Sequence, residues 1–441
     1  MSKKVLILGA GLVSKPMVHY LFEKTDHYIT MASRTVGKAE KIIDNNPNGE
    51  AISLNVKDDE HLEELIKNCD LTVSLLPYTY HVKVAKLCLK HKKPMVTTSY
   101  VSEEMKKLDN EAKQNGIIIL NECGLDPGID HMSAMKIIHQ IEKKGGKVIS
   151  FKSSTGALPS HEANTNPFGY KFSWSPRGVL LASKNPSKWL EDGKIKQFPG
   201  EELFENYYIM DIENVGSFEN YPNRNSVPYK EIYGLKDAET VYRGTLRMSG
   251  WCETMRKIVA IGWLDETPKK DFKGETYADM TRHLIGTNID DDLIKSTADF
   301  LNLEKYSTTI KRMKWLGLFS SKKLPEDKDN PLDYMNVLTL EKMSLGKKER
   351  DMIVMHHEFI AKYKDHEDYI TSTLVDYGIP DGDSSVSRTV SIPAAIAVKM
   401  ILDGKINLKG VHIPVIPEIY EPILDELEEM NIKFIEKKVK K

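Results

Sequence analysis

Cysteine is scarce. Four of the 441 residues are cysteine (Cys69, Cys88, Cys123 and Cys252), and none forms a C-x-x-C pair. That argues against a disulfide-stapled scaffold and against the common zinc spacings, and it fits a reducing, cytoplasmic setting. A surplus of charge is also lacking. Lys plus Arg is 62 and Asp plus Glu is 64, a formal charge of −2. A nucleic-acid partner held by general electrostatics is therefore not expected. No stretch approaches the ~20 apolar residues that span a bilayer, so no membrane partner is expected either. Residues 5–8 follow two lysines, as in a signal peptide, but the run is too short and Lys15-Pro16 comes soon after. It reads as a buried strand. There is no evident internal repeat or low-complexity segment. What is present is ordinary: 40% hydrophobic and 29% charged residues. That is enough for several cores, and at roughly 150 residues per domain the length suggests about three.

The first 125 or so residues alternate short apolar runs with helix-length segments. Strands are expected at 5–8, 28–32, 71–76, 94–98 and 117–120, and helices at 12–24, 37–44, 80–91 and 102–115. Such runs, buried on both faces, signal a parallel sheet covered by helices. After residue 145 the strands shorten and turns multiply. Residues 265–350 are charged and read mostly as helix. Residues 352–363 and 369–377 read as a hairpin, Pro393 as the start of a helix, and 424–441 as a helix with a basic end.

Gly9-Ala10-Gly11-Leu12-Val13-Ser14 lies between the first strand and the first helix. This G-x-G-x-x-S string is close to the dinucleotide-binding fingerprint. Its first glycine permits a tight turn, its second lets backbone approach a pyrophosphate, and its small last residue allows close packing. The second strand ends in Ser33-Arg34-Thr35. An NAD site usually carries an acid there; an arginine with two hydroxyls suits a 2′-phosphate, so NADP(H) is favoured.

Ligands of open parallel sheets sit beyond the carboxyl ends of the strands. Those ends carry Leu76-Pro77-Tyr78, Thr98-Ser99-Tyr100 and the turn of residues 122–128. Asp126 in that turn either faces the nicotinamide end or caps the helix that follows. Lys171, Arg224 and Arg247 stand in aromatic or turn settings and are candidates for an acidic substrate, or else ion-pair residues. His356 and His357 are neighbours on an expected strand, so their side chains point to opposite faces and no metal is expected.

Several long strings resemble one family. They are Ser74-Leu75-Leu76-Pro77-Tyr78-Thr79-Tyr80-His81, Val96-Thr97-Thr98-Ser99-Tyr100-Val101-Ser102 and Gly124-Leu125-Asp126-Pro127-Gly128-Ile129-Asp130-His131. Further ones are Asn166-Pro167-Phe168-Gly169-Tyr170-Lys171-Phe172-Ser173-Trp174-Ser175, Tyr221-Pro222-Asn223-Arg224, Arg243-Gly244-Thr245-Leu246-Arg247 and Thr371-Ser372-Thr373-Leu374-Val375-Asp376-Tyr377-Gly378. Nearly end to end, the chain resembles the saccharopine reductases, the NADP-dependent, glutamate-forming saccharopine dehydrogenases of the α-aminoadipate route to lysine.

The resemblance implies an α/β architecture in three parts. A Rossmann-type parallel-sheet domain would take 1–127 with 392–441. An α/β substrate and dimerisation domain would take 128–262 with 350–391, and a helical insertion 263–349. It implies cofactor contacts from Gly11, Leu12, Val13, Ser33, Arg34, Thr35, Asn55, Val56, Leu76, Pro77, Tyr78, Leu125, Asp126, Pro127 and Ser175, beside Gly9 of the glycine loop. It implies substrate contacts from Ser99, Tyr100, Asp126, Arg224, Thr245, Leu246 and Arg247, and a homodimer.

The expected reaction joins glutamate to α-aminoadipate semialdehyde as an imine and reduces it to saccharopine. Asp126 would handle protons or steady the iminium charge, and Tyr100 would polarise the carbinolamine oxygen. Two departures bear on substrate identity. Thr155 stands where the family often has cysteine, and Arg388 where it is usually small and neutral. The alternatives are a related imine reductase, such as carboxynorspermidine dehydrogenase, and a non-catalytic NADP-binding regulator.

Overall fold

In a computed structural model of the chain, residues 2–269, 272 and 274–440 are described. The chain divides into two compact units, Met1–Gly145 with Gly382–Ile435 and Gly146–Asp381 with Glu436–Lys441.

The first unit is built on a seven-stranded sheet. From edge to edge the strands are Gly410–His412, Ile118–Leu120, Met95–Thr97, Leu71–Ser74, Lys4–Leu8, Tyr28–Ser33 and Gly49–Ser53. Every pairing is parallel. The chain starts in the middle, moves outward to one edge, then returns and builds the other side. The order therefore reverses between Lys4–Leu8 and Leu71–Ser74, the crevice where dinucleotides bind in such folds. Val5, Ile7, Leu8, Leu71, Val73 and Ile119 are fully buried, as a sheet covered on both faces requires. Two of its strands escaped sequence reading: Gly49–Ser53 (GEAIS) has no apolar run, and Gly410–His412 is three residues long.

The unit boundaries differ from those expected. Helix Ile129–Lys143 packs on helix Pro417–Glu429 and so belongs to the first unit, which moves the first boundary from 127 to 145. Helix Ser385–Leu402 packs on helix Ser14–Lys24 and carries Pro393 inside it, not at its start. Its true start is capped by Ser384, whose Oγ accepts the Ser387 N–H at 3.0 Å. This helix is long and apolar enough to cross a membrane by length and mean hydropathy (1.3), and 72% of it is buried within the protein, as a core helix would be.

The second unit holds a nine-stranded mixed sheet. Its centre is the long strand Lys147–Pro159, parallel to Thr240–Arg247 on one side and antiparallel to Asp351–Lys362 on the other. Asp351–Lys362 and Glu367–Tyr377 form the expected hairpin. The helices Tyr277–Ile285, Leu293–Phe300, Thr308–Leu316 and Pro331–Met343 occupy the expected helical segment. They do not make a third compact unit. Tyr277, Met313, Tyr334 and Leu338 share one buried cluster with Phe168, Leu246 and Trp251. The end of the chain also differs from expectation. The helix stops at Glu429, and Phe434–Lys440 is an edge strand beside Glu367–Tyr377. Its charged residues suit an edge, and Lys438 pairs at 2.5 Å with the buried Asp368.

Candidate active site

The first strand ends at Leu8, and the chain turns sharply. Gly9 has φ +111°, and a Cβ there would sit 3.0 Å from the Leu75 carbonyl oxygen. Glycine is required by both counts. Gly11 differs: an added Cβ would meet nothing within 4 Å. The space above it is open, which is the shape a pyrophosphate needs. Helix Ser14–Lys24 follows. Its N-cap residue Val13 offers no side-chain hydrogen bond, and its first turn holds no acid. Its positive dipole end is left for an anion. Ser14 is buried and donates to the Gly11 carbonyl at 2.8 Å, holding the loop closed.

The next strand ends deliver the other cofactor candidates. Ser33-Arg34-Thr35 follows Tyr28–Ser33, with Ser33 Oγ accepting the Thr35 N–H at 3.3 Å. Arg34 is exposed and has no ion-pair partner among the described residues. Asn55 and Val56 lie just past Gly49–Ser53, the neighbouring strand. The Val56 carbonyl accepts from Lys83 Nζ at 2.7 Å. Leu76, Pro77 and the 79% exposed Tyr78 follow Leu71–Ser74. Open space at Gly11, an uncapped helix and an unpaired arginine fit a phosphorylated dinucleotide.

Farther along the same edge stand the proton-handling candidates. Tyr100 donates its hydroxyl to Asp126 Oδ1 at 2.8 Å. Asp126 is not the N-cap of the helix that follows. Helix Ile129–Lys143 has Gly128 as its N-cap, with no side-chain cap bond. Gly128 has φ +147°, and a Cβ there would lie 2.0 Å from the Gly124 carbonyl oxygen. The turn is therefore built by glycines, and the Asp126 carboxylate is turned to Tyr100.

Two residues that sequence reading assigned no role organise this edge. Glu122 sits at φ +57°, buried. Its N–H donates to the Ser99 carbonyl at 3.0 Å, and its Oε1 accepts from the Val101 N–H at 2.9 Å. Tyr100 is thus fixed from both flanks. The other oxygen of Glu122 meets His131 Nε2 at 2.7 Å. The second residue is His81. Its ring spans Ser74 Oγ and Ser99 Oγ, each at 2.8 Å. Burial pushes this imidazole down to about 4. Spacing could not reveal either residue, because each acts through side chains or backbone on other strand ends.

The second unit holds the remaining candidates. Arg247 is 4% exposed. Its guanidinium lies 4.9 Å from the Tyr170 ring and 5.5 Å from the Trp251 ring. It donates through Nη1 to the Leu246 carbonyl at 2.8 Å, and its Nε is buried without a partner. No carboxylate of the described residues pairs with it. Lys171 is the opposite case, an ion-pair residue. It bonds Glu349 at 2.5 Å and Thr165 at 2.9 Å. Arg224 is exposed at φ +53°, with its carbonyl tied to the Lys188 N–H at 2.8 Å. Thr245 lies level with Thr155 on the adjacent parallel strand. Leu246 is fully buried. Ser175 caps helix Pro176–Ala182 by accepting the Gly178 N–H at 3.3 Å. His356 bonds Thr373 at 2.8 Å, while His357 packs by Phe151. No cluster of metal-binding side chains occurs among the described residues.

Comparison with known proteins agrees across the whole chain. Residues 5–120 match the family model for the saccharopine dehydrogenase NADP binding domain, and 124–432 that for the saccharopine dehydrogenase C-terminal domain. A saccharopine dehydrogenase (NADP+, L-glutamate-forming) of Schizosaccharomyces pombe is 40% identical, over 98% of each chain. The mitochondrial alpha-aminoadipic semialdehyde synthase of Bos taurus is 37% identical over 98% of this chain and 47% of its own length. The solved structure of apo saccharopine dehydrogenase (L-Glu forming) from Saccharomyces cerevisiae superposes with a TM-score of 0.92 at 39% identity, covering 99% of this chain and 100% of that one.

Proposed function

We infer the reaction from membership: the chain belongs to the saccharopine dehydrogenase family. It is an NADP-dependent oxidoreductase that forms saccharopine from glutamate and L-2-aminoadipate 6-semialdehyde, reversibly, by reduction of an imine. The observation that carries the substrate assignment is Arg247. A buried guanidinium that no carboxylate among the described residues pairs is costly unless a ligand supplies one. Saccharopine is a tricarboxylate and can do so.

When bound, NADPH supplies the hydride. The residues proposed to hold it are Gly9 and Gly11–Val13 at the pyrophosphate, and Ser33, Arg34 and Thr35 at the 2′-phosphate. Asn55, Val56, Leu76, Pro77, Tyr78, Leu125, Asp126, Pro127 and Ser175 are proposed as its further contacts. Those proposed for substrate are Ser99, Tyr100, Asp126, Arg224, Thr245, Leu246 and Arg247. Before substrate binds, the Tyr100 proton is committed to Asp126. To polarise a carbinolamine oxygen, Tyr100 must turn that proton toward it. The Asp126 carboxylate takes up the proton that the amine releases on addition, returns it through Tyr100 to the departing hydroxyl so that water leaves, and, ionised again, steadies the iminium. Thr155 is a far weaker acid than a cysteine, so the proton work is assigned to Tyr100 and Asp126.

Asp126→Asn tests this. It keeps the contact with Tyr100 and removes the charge. Turnover is expected to fall by about 100-fold, in the range of one acid–base group, with NADPH affinity little changed. Full turnover across the pH range would overturn the role.

We further propose a location and an assembly. The four cysteines are all unpaired and buried, which supports a reducing cytoplasm as the location. A homodimer is proposed on the family resemblance, and light scattering of the purified protein reads it directly.

A further inference from the structure

We propose that His81 is a positioning residue that makes the Ser99 hydroxyl a hydrogen-bond donor aimed at a substrate carboxylate. The proposal rests on the saccharopine reading, which places Ser99 at the substrate. The count of protons around the ring fixes the direction of each bond. Thr97 Oγ1 donates its single proton to the Ser74 carbonyl at 2.9 Å. Toward everything else it is an acceptor: it takes the Ser99 N–H at 3.4 Å and faces His81 Nε2 at 3.5 Å. That second contact is favourable only if Nε2 carries hydrogen. The ring is buried and held neutral, so it has one N–H, on Nε2. Nδ1 must then accept, and its neighbour Ser74 Oγ, fully buried, donates to it at 2.8 Å. At the other end, Nε2–H donates to Ser99 Oγ at 2.8 Å. With a lone pair so occupied, the Ser99 proton points away from the histidine. Ser99 is half-buried at the carboxyl edge of the sheet, next to Tyr100. A donor there suits a carboxylate and mismatches an ammonium group.

The opposite tautomer would reverse the two ring bonds, so that Ser99 donates to Nε2 and has only lone pairs to offer the substrate. The relay therefore sets the sign of the group that the site prefers. Amide substitutions separate the two ends of the ring. Asn at 81 reaches Ser74 but ends short of Ser99. Gln reaches Ser99 with an N–H donor but gives up Ser74. The assay is saccharopine oxidation with NADP+, with NADPH affinity measured by fluorescence as a control. His81→Asn is expected to raise KM for saccharopine about tenfold, with kcat and NADPH affinity within about twofold. His81→Gln is expected to stay within about twofold of the wild-type KM. In a Ser99→Ala background His81→Asn adds nothing further, the mark of a shared interaction. Ser74→Ala, a mild change at the far end, is expected to raise KM and to lose that effect in the same background. Equal losses in the Asn and Gln variants, or effects that persist without Ser99, overturn the proposal and leave the reaction standing. No turnover by the wild type overturns the reaction, and the proposal with it.

Discussion

Gly9 and Gly11 lie two residues apart in one loop, and the structure predicts opposite consequences for the same substitution. At Gly9 an alanine must hold φ +111° with its Cβ 3.0 Å from the Leu75 carbonyl oxygen. Backbone strain of this kind costs about 1–3 kcal/mol. Leu75 belongs to the switch-point strand end, so the cost falls on the sheet. At Gly11 the Cβ enters open space and φ lies outside the left-handed region. Gly11→Ala is expected to be neutral for the fold, or stabilising by up to about 1 kcal/mol through the unfolded chain. Its effect falls on the ligand. The Cβ occupies the place where backbone approaches the pyrophosphate, and each charge-assisted bond lost there is worth about 1.5–3 kcal/mol. That is roughly 10- to 100-fold in the Kd for NADPH. Thermal unfolding without cofactor reads the first quantity, and a fluorescence titration with NADPH reads the second. Wild-type NADPH affinity in Gly11→Ala, or equal destabilisation by the two variants, would refute the reasoning.

The other predictions concern buried charge. Arg247→Met is expected to raise KM for saccharopine by 10-fold or more, on the order of one charge-assisted bond, while leaving stability unchanged or improved, because an unpaired buried cation is removed. Lys171→Met is the contrast: it strands Glu349 and is expected to cost about 1–3 kcal/mol in urea unfolding. His81 predicts a pH dependence. Its folded value of about 4 lies below the ordinary 6.5. Between those values the unfolded chain binds a proton that the folded protein does not, so stability rises with pH through that window and levels off above it. The loss at the acid end is of the order of 3 kcal/mol. Unfolding measured at pH 7 and pH 4.5 should show a smaller acid loss in His81→Asn than in the wild type.

What could be read from sequence was local. The glycine loop, the Ser33-Arg34-Thr35 strand end and the hairpin of residues 351–377 each carry their signal within a few residues, and the fold has them where expected. Asp126 stayed divided between site and cap because both readings suit an Asp before Pro. The structure puts Gly128, not Asp126, at the N-cap and gives the carboxylate a bond from Tyr100, 26 residues away. Lys171 looked like an anion site because its partner Glu349 is 178 residues distant. His81 was invisible for the same reason: its meaning lies in Ser74 and Ser99, on two other strand ends. The strand Phe434–Lys440 has no buried face to leave an apolar pattern. Only its partner strand identifies it.

This chain uses NADPH to reduce the imine of glutamate and α-aminoadipate semialdehyde. Following NADPH absorbance with purified protein, each substrate alone and both together, tests it most directly. NADH serves as a control, and Arg34→Ala as a second. Oxidation is expected only when both substrates are present, with a preference for NADPH over NADH and loss of that preference in Arg34→Ala. NADPH binding without turnover on this pair, or equal use of NADH by the wild type, would contradict it.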